Sequence, residues 1–185
     1  MPGPAIRIDS LPYVDALDAR PLDAIDLVVI HCTELPDLAM ARAYGERVLY
    51  PDSGTGNSGH YYIDRDGSIV EYVPPARVAH HTRGYNPRSI GIELVHTGRY
   101  PDWLDSRRQA MDEAYTEAQV EALIRLLQDL RARIPSLSQI AGHDELDTAS
   151  VPASEDPSVL VRRKLDPGPM FPWQLILDSV SLQRL

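Results

Sequence analysis

The sequence predicts an α/β (α+β) single domain, a central mixed β-sheet flanked by helices. Three observations predict it. A β-branched apolar run at 26–32, "DLVVIHC", reads as a buried central strand. Two β-prone runs bracket "DRDG" in "HYYIDRDGSIVEYV", residues 60–73, as in a hairpin. Residues 116–133 carry apolar side chains at helical spacing behind a capping-box pair, Thr116 and Gln119. Strands interspersed with helices indicate one α/β or α+β unit. A chain of 185 residues can bury a real hydrophobic core.

Along the chain, the first 24 residues read as irregular, with prolines at 2, 4, 12 and 21, so a 1–25 N-terminal segment precedes a domain at 26–185. A helix is expected over 37–49, "DLAMARAYGERVL", followed by the glycine-rich loop "PDSGTGNSG". "RSIGIELVHTG", residues 88–98, is a further strand, and 99–115 a mixed surface segment. In the long helix Val120, Leu123, Ile124, Leu127 and Leu130 form one stripe, and Pro135 ends it. "LSQIAGH" is a short strand or loop delivering His143; 144–160 is an acidic loop without periodicity; a last helix is expected over 172–184.

The net charge of −9 and the absence of a basic block argue against a nucleic-acid partner or an anionic membrane surface. One cysteine, Cys32, rules out an internal disulfide framework and fits a reducing compartment. The N-terminus shows no basic region followed by an apolar one, so a cytoplasmic location is expected. Oligomeric state has no signature in the chain.

Spacing alone singles out few chemical groups. The chain has no HExxH, CxxC or GxSxG. His31 closes an apolar strand, where a cleft often opens; a lone histidine there is more often structural. His143 follows Ala-Gly. Glu93 shares a strand face with Gly91 and Val95, while Ile90, Ile92 and Leu94 take the other. A carboxylate there is costly to bury unless paired or functional; an edge-strand charge is the alternative. Cys32 points away from His31, against a local Cys–His pair. In "RRKLDPGPMFPW", residues 162–173, three prolines and a glycine stiffen the chain around Lys164 and Asp166. Two residues apart on extended backbone, these two could face one cavity; taken alone, the stretch reads rather as a proline-rich loop that closes one helix and opens another.

Five segments in order, "VVIHCTE", "SGHYYIDRDGSIVEYVP", "AHHTRGYNPRSIGIELVHTG", "IAGHDE" and "RKLDPGPMFPW", resemble the type-2 N-acetylmuramoyl-L-alanine amidases. These are the zinc amidases related to bacteriophage lysozyme amidases and peptidoglycan recognition proteins. The resemblance implies one Zn2+ per chain, held by His31, His143 and Asp166. It implies Glu93 as general base and Lys164 as transition-state stabiliser. His81 matches a position near the substrate and His60 one behind the site, which makes both of them lesser candidates for substrate binding. Aspartate rather than cysteine as third ligand resembles the intracellular recycling branch. The implied substrate is a muropeptide, 1,6-anhydro in that branch, cut at the lactyl amide between N-acetylmuramic acid and L-alanine.

Asn57 and Arg83 lie in loops placed to meet sugar or peptide, whereas His96 and Arg99 match no family role. The acidic stretch after His143 departs from the short basic segment of the recycling branch. Two alternatives to recycling follow from the resemblance: a non-catalytic peptidoglycan-binding module, and an exported amidase acting on the intact sacculus.

Overall fold

Leu27–Cys32 (β2) is buried at every position, as a strand covered on both faces must be. The computed structural model describes residues 3–185. In chain order the elements are β1 (Ile6–Ile8), β2, α1 (Leu38–Gly45), β3 (Tyr61–Ile63), β4 (Ile69–Glu71), β5 (Ser89–Leu94), α2 (Glu117–Arg133), β6 (Gln139–Gly142), α3 (His143–Leu146), β7 (Ser150–Pro152), β8 (Leu160–Arg162), α4 (Trp173–Ser179) and β9 (Gln183–Arg184). Seven strands form one sheet in the order β1-β4-β3-β5-β2-β6-β9. Strand β2 pairs parallel with both β5 and β6, β3 pairs parallel with β5, and only the β3–β4 hairpin is antiparallel within this sheet.

The alternation expected of β5 decides which face is which. Ile90, Ile92 and Leu94, with Ile30 of β2, pack against Leu123, Leu126, Leu127 and Leu130 of α2 and Ile176 of α4. On the other face Tyr62 and Val70 meet Ala41 of α1 and the N-terminal Leu11, Tyr13 and Leu17. Leu27, Val29 and Ala141 form a small third cluster on the strand face that carries His31. Among the described residues no helix is long and apolar enough to cross a membrane.

Helix α2 begins where its sequence says it should. The Thr116 side chain accepts from the Gln119 amide at 3.1 Å, and the Gln119 side chain accepts from the Thr116 amide at 3.1 Å. The Thr116 hydroxyl also donates to the Arg65 carbonyl at 2.7 Å, tying the helix to the β3–β4 turn. The core-facing stripe is offset by a little: Leu126 is fully buried, while Ile124 is only partly so.

Four elements depart from expectation. The N-terminal segment, expected irregular, contributes β1, which pairs with β4 at the sheet edge. Helix α1 stops at Gly45 rather than running to 49. The chain end, expected helical to 184, breaks at Ser179 and adds the edge strand β9 beside β6. The acidic 144–160 stretch is no unstructured loop: α3 and the antiparallel β7–β8 hairpin occupy much of it, with Val151 paired to Val161. Three-residue strands with one inward apolar position each leave no periodicity to read.

Replacing Thr116 by Ala removes a capping acceptor and a tertiary donor together. Urea denaturation is expected to show a loss of about 1–2 kcal/mol.

Candidate active site

Parallel register brings the chemistry to one end of the sheet. His31 of β2 lies opposite Glu93 of β5. Ile30 lies opposite Gly142 of β6, so His143 emerges one residue later, at the start of α3. The cleft therefore opens at the carboxyl ends of three adjacent parallel strands, where open α/β sheets bind ligands. The fourth contributor, Asp166, arrives from the proline-rich segment. The Asp144 amide donates to its carbonyl at 2.9 Å, and the Tyr115 hydroxyl donates to the Pro167 carbonyl at 2.6 Å.

Asp166 is the hub. Its Oδ2 lies 2.9 Å from His31 Nδ1 and 3.0 Å from His143 Nδ1. Candidate ligand atoms of the three residues all lie within 4.8 Å of one another, and all three residues are buried. Burial alone would push the Asp166 carboxyl up, but the two histidines outweigh it and hold the group well below the usual range. Burial, reinforced by the neighbouring His143, brings His31 down to about 4 against the opposing pull of Asp166, so the ring is neutral near pH 7.

A chain of hydrogen bonds selects its tautomer. The Ser89 hydroxyl donates to the Tyr85 carbonyl at 2.8 Å, which leaves its oxygen to accept from His81 Nε2 at 3.2 Å. His81 Nδ1 is then an acceptor, 3.0 Å from His31 Nε2. With the proton on Nε2, His31 presents a bare Nδ1 lone pair to the Asp166 carboxylate. Lone pairs on both atoms at that separation require a proton or a metal cation between them. The Asp166 Oδ1 atom is buried with no hydrogen-bond partner, which adds to that demand. Two imidazole nitrogens and one carboxylate oxygen, with a cleft alongside, match the three-ligand set of catalytic rather than structural zinc sites. The residues fit the group.

Beside this centre lies a cleft of about 620 Å³, lined among others by Glu93, Lys164, His143, His81, Asn57 and Arg83. Glu93 Oε1 is 4.0 Å from His31 Nδ1, and its side chain is 15% exposed, so it reaches the cleft. Burial, with the Asp166 charge adding and Lys164 opposing, pushes its carboxyl up to about 8. Asn57 accepts from the Tyr50 hydroxyl at 2.8 Å, and Arg83 is exposed at the rim; both line the cleft.

Two expectations change. His60 makes no approach to a ligand: it is fully buried, its Nδ1 accepts from the Gly91 amide at 3.0 Å and its Nε2 faces the Arg77 carbonyl at 3.1 Å. Burial and the adjacent Arg20 bring it down to about 3, so it is a neutral structural ring. His81 lines the cleft, yet its ring nitrogens are taken up by His31 and Ser89 rather than left free. Sequence reasoning missed Ser89 and Thr82, whose Oγ1 lies 3.0 Å from His81 Nδ1. Hydroxyls in a strand and a loop carry no distinguishing signal. Cys32 is buried with its thiol pushed well up, first by burial and then by the Asp166 charge, and stands outside the site.

The profile of the N-acetylmuramoyl-L-alanine amidase family matches residues 21–169. The chain belongs to this family. The 1,6-anhydro-N-acetylmuramyl-L-alanine amidase AmpD of Enterobacter cloacae is 33% identical over 120 residues, 60% of this chain and 50% of that protein. The chain thus spans about half the length of that curated relative. A crystal structure of a selenomethionine derivative of AmpD is 28% identical, covers 95% of this chain and 94% of its own, and superposes with a TM-score of 0.67. The amidase AmiD from E. coli, solved with the substrate anhydro-N-acetylmuramic acid-L-Ala-D-gamma-Glu-L-Lys, shares the fold at 24% identity, covering 87% of this chain and 58% of its own, with a TM-score of 0.64.

The raised Glu93 carboxyl has a consequence for the metal-free protein. Folded Glu93 keeps its proton up to about pH 8, whereas the unfolded chain releases it near its ordinary value of 4.5. Its contribution to stability is therefore present at low pH and lost as pH rises through that window. Chemical denaturation of the chelated protein from pH 5 to 9 is expected to show Glu93→Gln gaining on the wild type up to about pH 8 and levelling above it.

Proposed function

We propose that this protein is a zinc-dependent N-acetylmuramoyl-L-alanine amidase that releases stem peptides from anhydro-muropeptides in cell-wall recycling. One observation carries the reading: a buried His31–His143–Asp166 set with the Glu93 carboxylate 4.0 Å from the first ligand's Nδ1, at the wall of an open cleft. A binding module needs the cleft but has no use for such a carboxylate, which disfavours the non-catalytic alternative.

His31 and His143, through Nδ1, and Asp166, through Oδ2, would hold the zinc. When bound, zinc would acidify a water, polarise the scissile carbonyl and, by its charge, draw Glu93 toward its ionised form. Glu93 then takes the water's proton and passes it to the departing alanine amine. Lys164, on the cleft wall, offers its ammonium to the carbonyl oxygen as negative charge builds there. His81 and Ser89 keep the His31 proton on Nε2 throughout, so that Nδ1 stays a ligand.

The substrate follows from the relatives' names and from charge. AmpD is described as a 1,6-anhydro-N-acetylmuramyl-L-alanine amidase, and AmiD was captured with an anhydro-muramyl tripeptide. A net charge of −9 suits small soluble fragments better than the anionic wall polymer. A role in recycling such fragments fits a cytoplasmic location.

Mass spectrometry of a defined anhydro-muropeptide incubated with the protein is expected to show free sugar and free stem peptide. A chelator should abolish the release, and zinc should restore it. Absence of cleavage by zinc-loaded protein, together with activity on intact sacculi, would replace recycling with wall degradation. Asp166→Ala is expected to lose metal and activity together. Glu93→Ala should keep its zinc while kcat falls roughly 10²–10⁴-fold, and Lys164→Ala should lose roughly 10²–10³-fold.

A further inference from the structure

Glu34 has a left-handed backbone, with φ of 48°, a conformation that side chains other than glycine adopt rarely and at a cost. It lies three residues beyond His31 and is buried at 7% exposure. Its carbonyl accepts from the Trp103 indole at 3.1 Å. Its carboxylate is gripped on both oxygens by Arg99, itself 3% exposed: Nε to Oε1 at 2.7 Å and Nη2 to Oε2 at 2.8 Å.

The rest of the guanidinium points to another part of the chain. Nη1 donates to the Arg162 carbonyl at 3.0 Å and to the Gln109 side chain at 3.1 Å, and Nη2 also donates to the Arg163 carbonyl at 3.3 Å. All five N–H groups of Arg99 are used. The two carbonyls immediately precede Lys164. One planar cation thus joins the end of the His31 strand, the turn that follows the Glu93 strand, and the segment that presents Lys164.

We propose that Arg99, clamped to Glu34, is a positioning residue that sets Lys164 against His31 and Glu93. This rests on the amidase reading of the cleft. Arg99 stays out of the chemistry and acts through the backbone at 162–163. Stiff prolines hold the chain beyond Asp166, and the Arg99 clamp holds it before Lys164. Arginine is required because a fork spans two carboxylate oxygens and two carbonyls at once, whereas a lysine ammonium presents a single point. The strained backbone of Glu34 is retained because it aims the carboxylate at that fork.

The test uses the zinc-loaded protein carrying Arg99→Lys, which preserves the buried charge pair. A second variant, Glu34→Leu with Arg99→Met, removes both charges together and so leaves neither ion unpaired. Each is made in the wild-type and in the Lys164→Ala background. Zinc content and KM on the defined anhydro-muropeptide are expected to stay within about threefold, while kcat falls at least about tenfold in the wild-type background and hardly changes without Lys164. Amide hydrogen exchange should rise across residues 160–168. Equal losses in both backgrounds, loss of zinc, or unchanged exchange would each overturn the proposal. If the unsubstituted chain itself fails to cleave, the amidase reading falls, and the exchange measurement still decides whether Arg99 holds the Lys164 segment.

Discussion

The parallel pairing of β2 with β5, in the register that sets His31 against Glu93, is the constraint on which the remainder rests. A slip of one residue would turn His31 into the helix-packed face and send Ile30 or Cys32 to the cleft. The register is enforced from the opposite face. Ile30, Ile90, Ile92 and Leu94 all lie on the face packed against α2, and a one-residue slip would turn one strand's set away from it. The hydrophobic core thereby places the polar site. Strand β6, pairing on the other side of β2 and ending at Gly142, brings His143 to the same edge without a further device.

Asp166 then decides the electrostatics. The two histidines outweigh burial and lower the proton affinity of the Asp166 carboxylate, whose charge adds to the burial that raises that of Glu93. Environments that push two carboxyls in opposite directions divide labour between them: one is always available as a ligand, the other can carry a proton. Neutral rings at His31, His60 and His81 are the corollary, since burial brings all three down. The basic groups around the cluster differ in use. Lys164 faces the cleft, Arg20 adds to the burial that keeps His60 neutral, and Arg99 is spent wholly within the protein.

Much of this was legible in the chain, and the reasons for the remainder are physical. Helix α2 declared itself through a capping box and an apolar stripe, and β2 and β5 through continuous or alternating apolar runs. These are local patterns with a fixed period. Strands β1, β7, β8 and β9 are two or three residues long and mostly exposed, too short for a period to exist, so the segments containing them read as irregular, loop or helix. In the site, His31, His143, Asp166, Glu93 and Lys164 stood out through motif resemblance, and the structure gathers all five. The surroundings of His60 and His81 were not legible, because their partners, Arg77, Ser89 and His31, lie apart from them in sequence or carry ordinary side chains. Glu34 and Arg99 were unreadable for the same reason: a bidentate pair separated by 65 positions leaves no spacing rule.

Two glycines show how tightly that unreadable layer is built. A Cβ on Gly91 would stand 2.6 Å from the His81 ring, and one on Gly59 would stand 2.8 Å from Glu93 Cγ. Neither distance is tolerable for carbon, so each glycine is the floor on which a functional side chain lies. Gly91 belongs to the same strand as Glu93 and also donates its amide to His60, which in turn packs its ring edge-on to His81 at 5.5 Å. A methyl group at 91 would therefore push on His81, loosen the tautomer lock on His31 and disturb the ligand set without touching any ligand. Chemistry-bearing residues can be named from their own side chains. The residues that hold them are defined by the space they leave empty, and that space exists only once the sheet has formed.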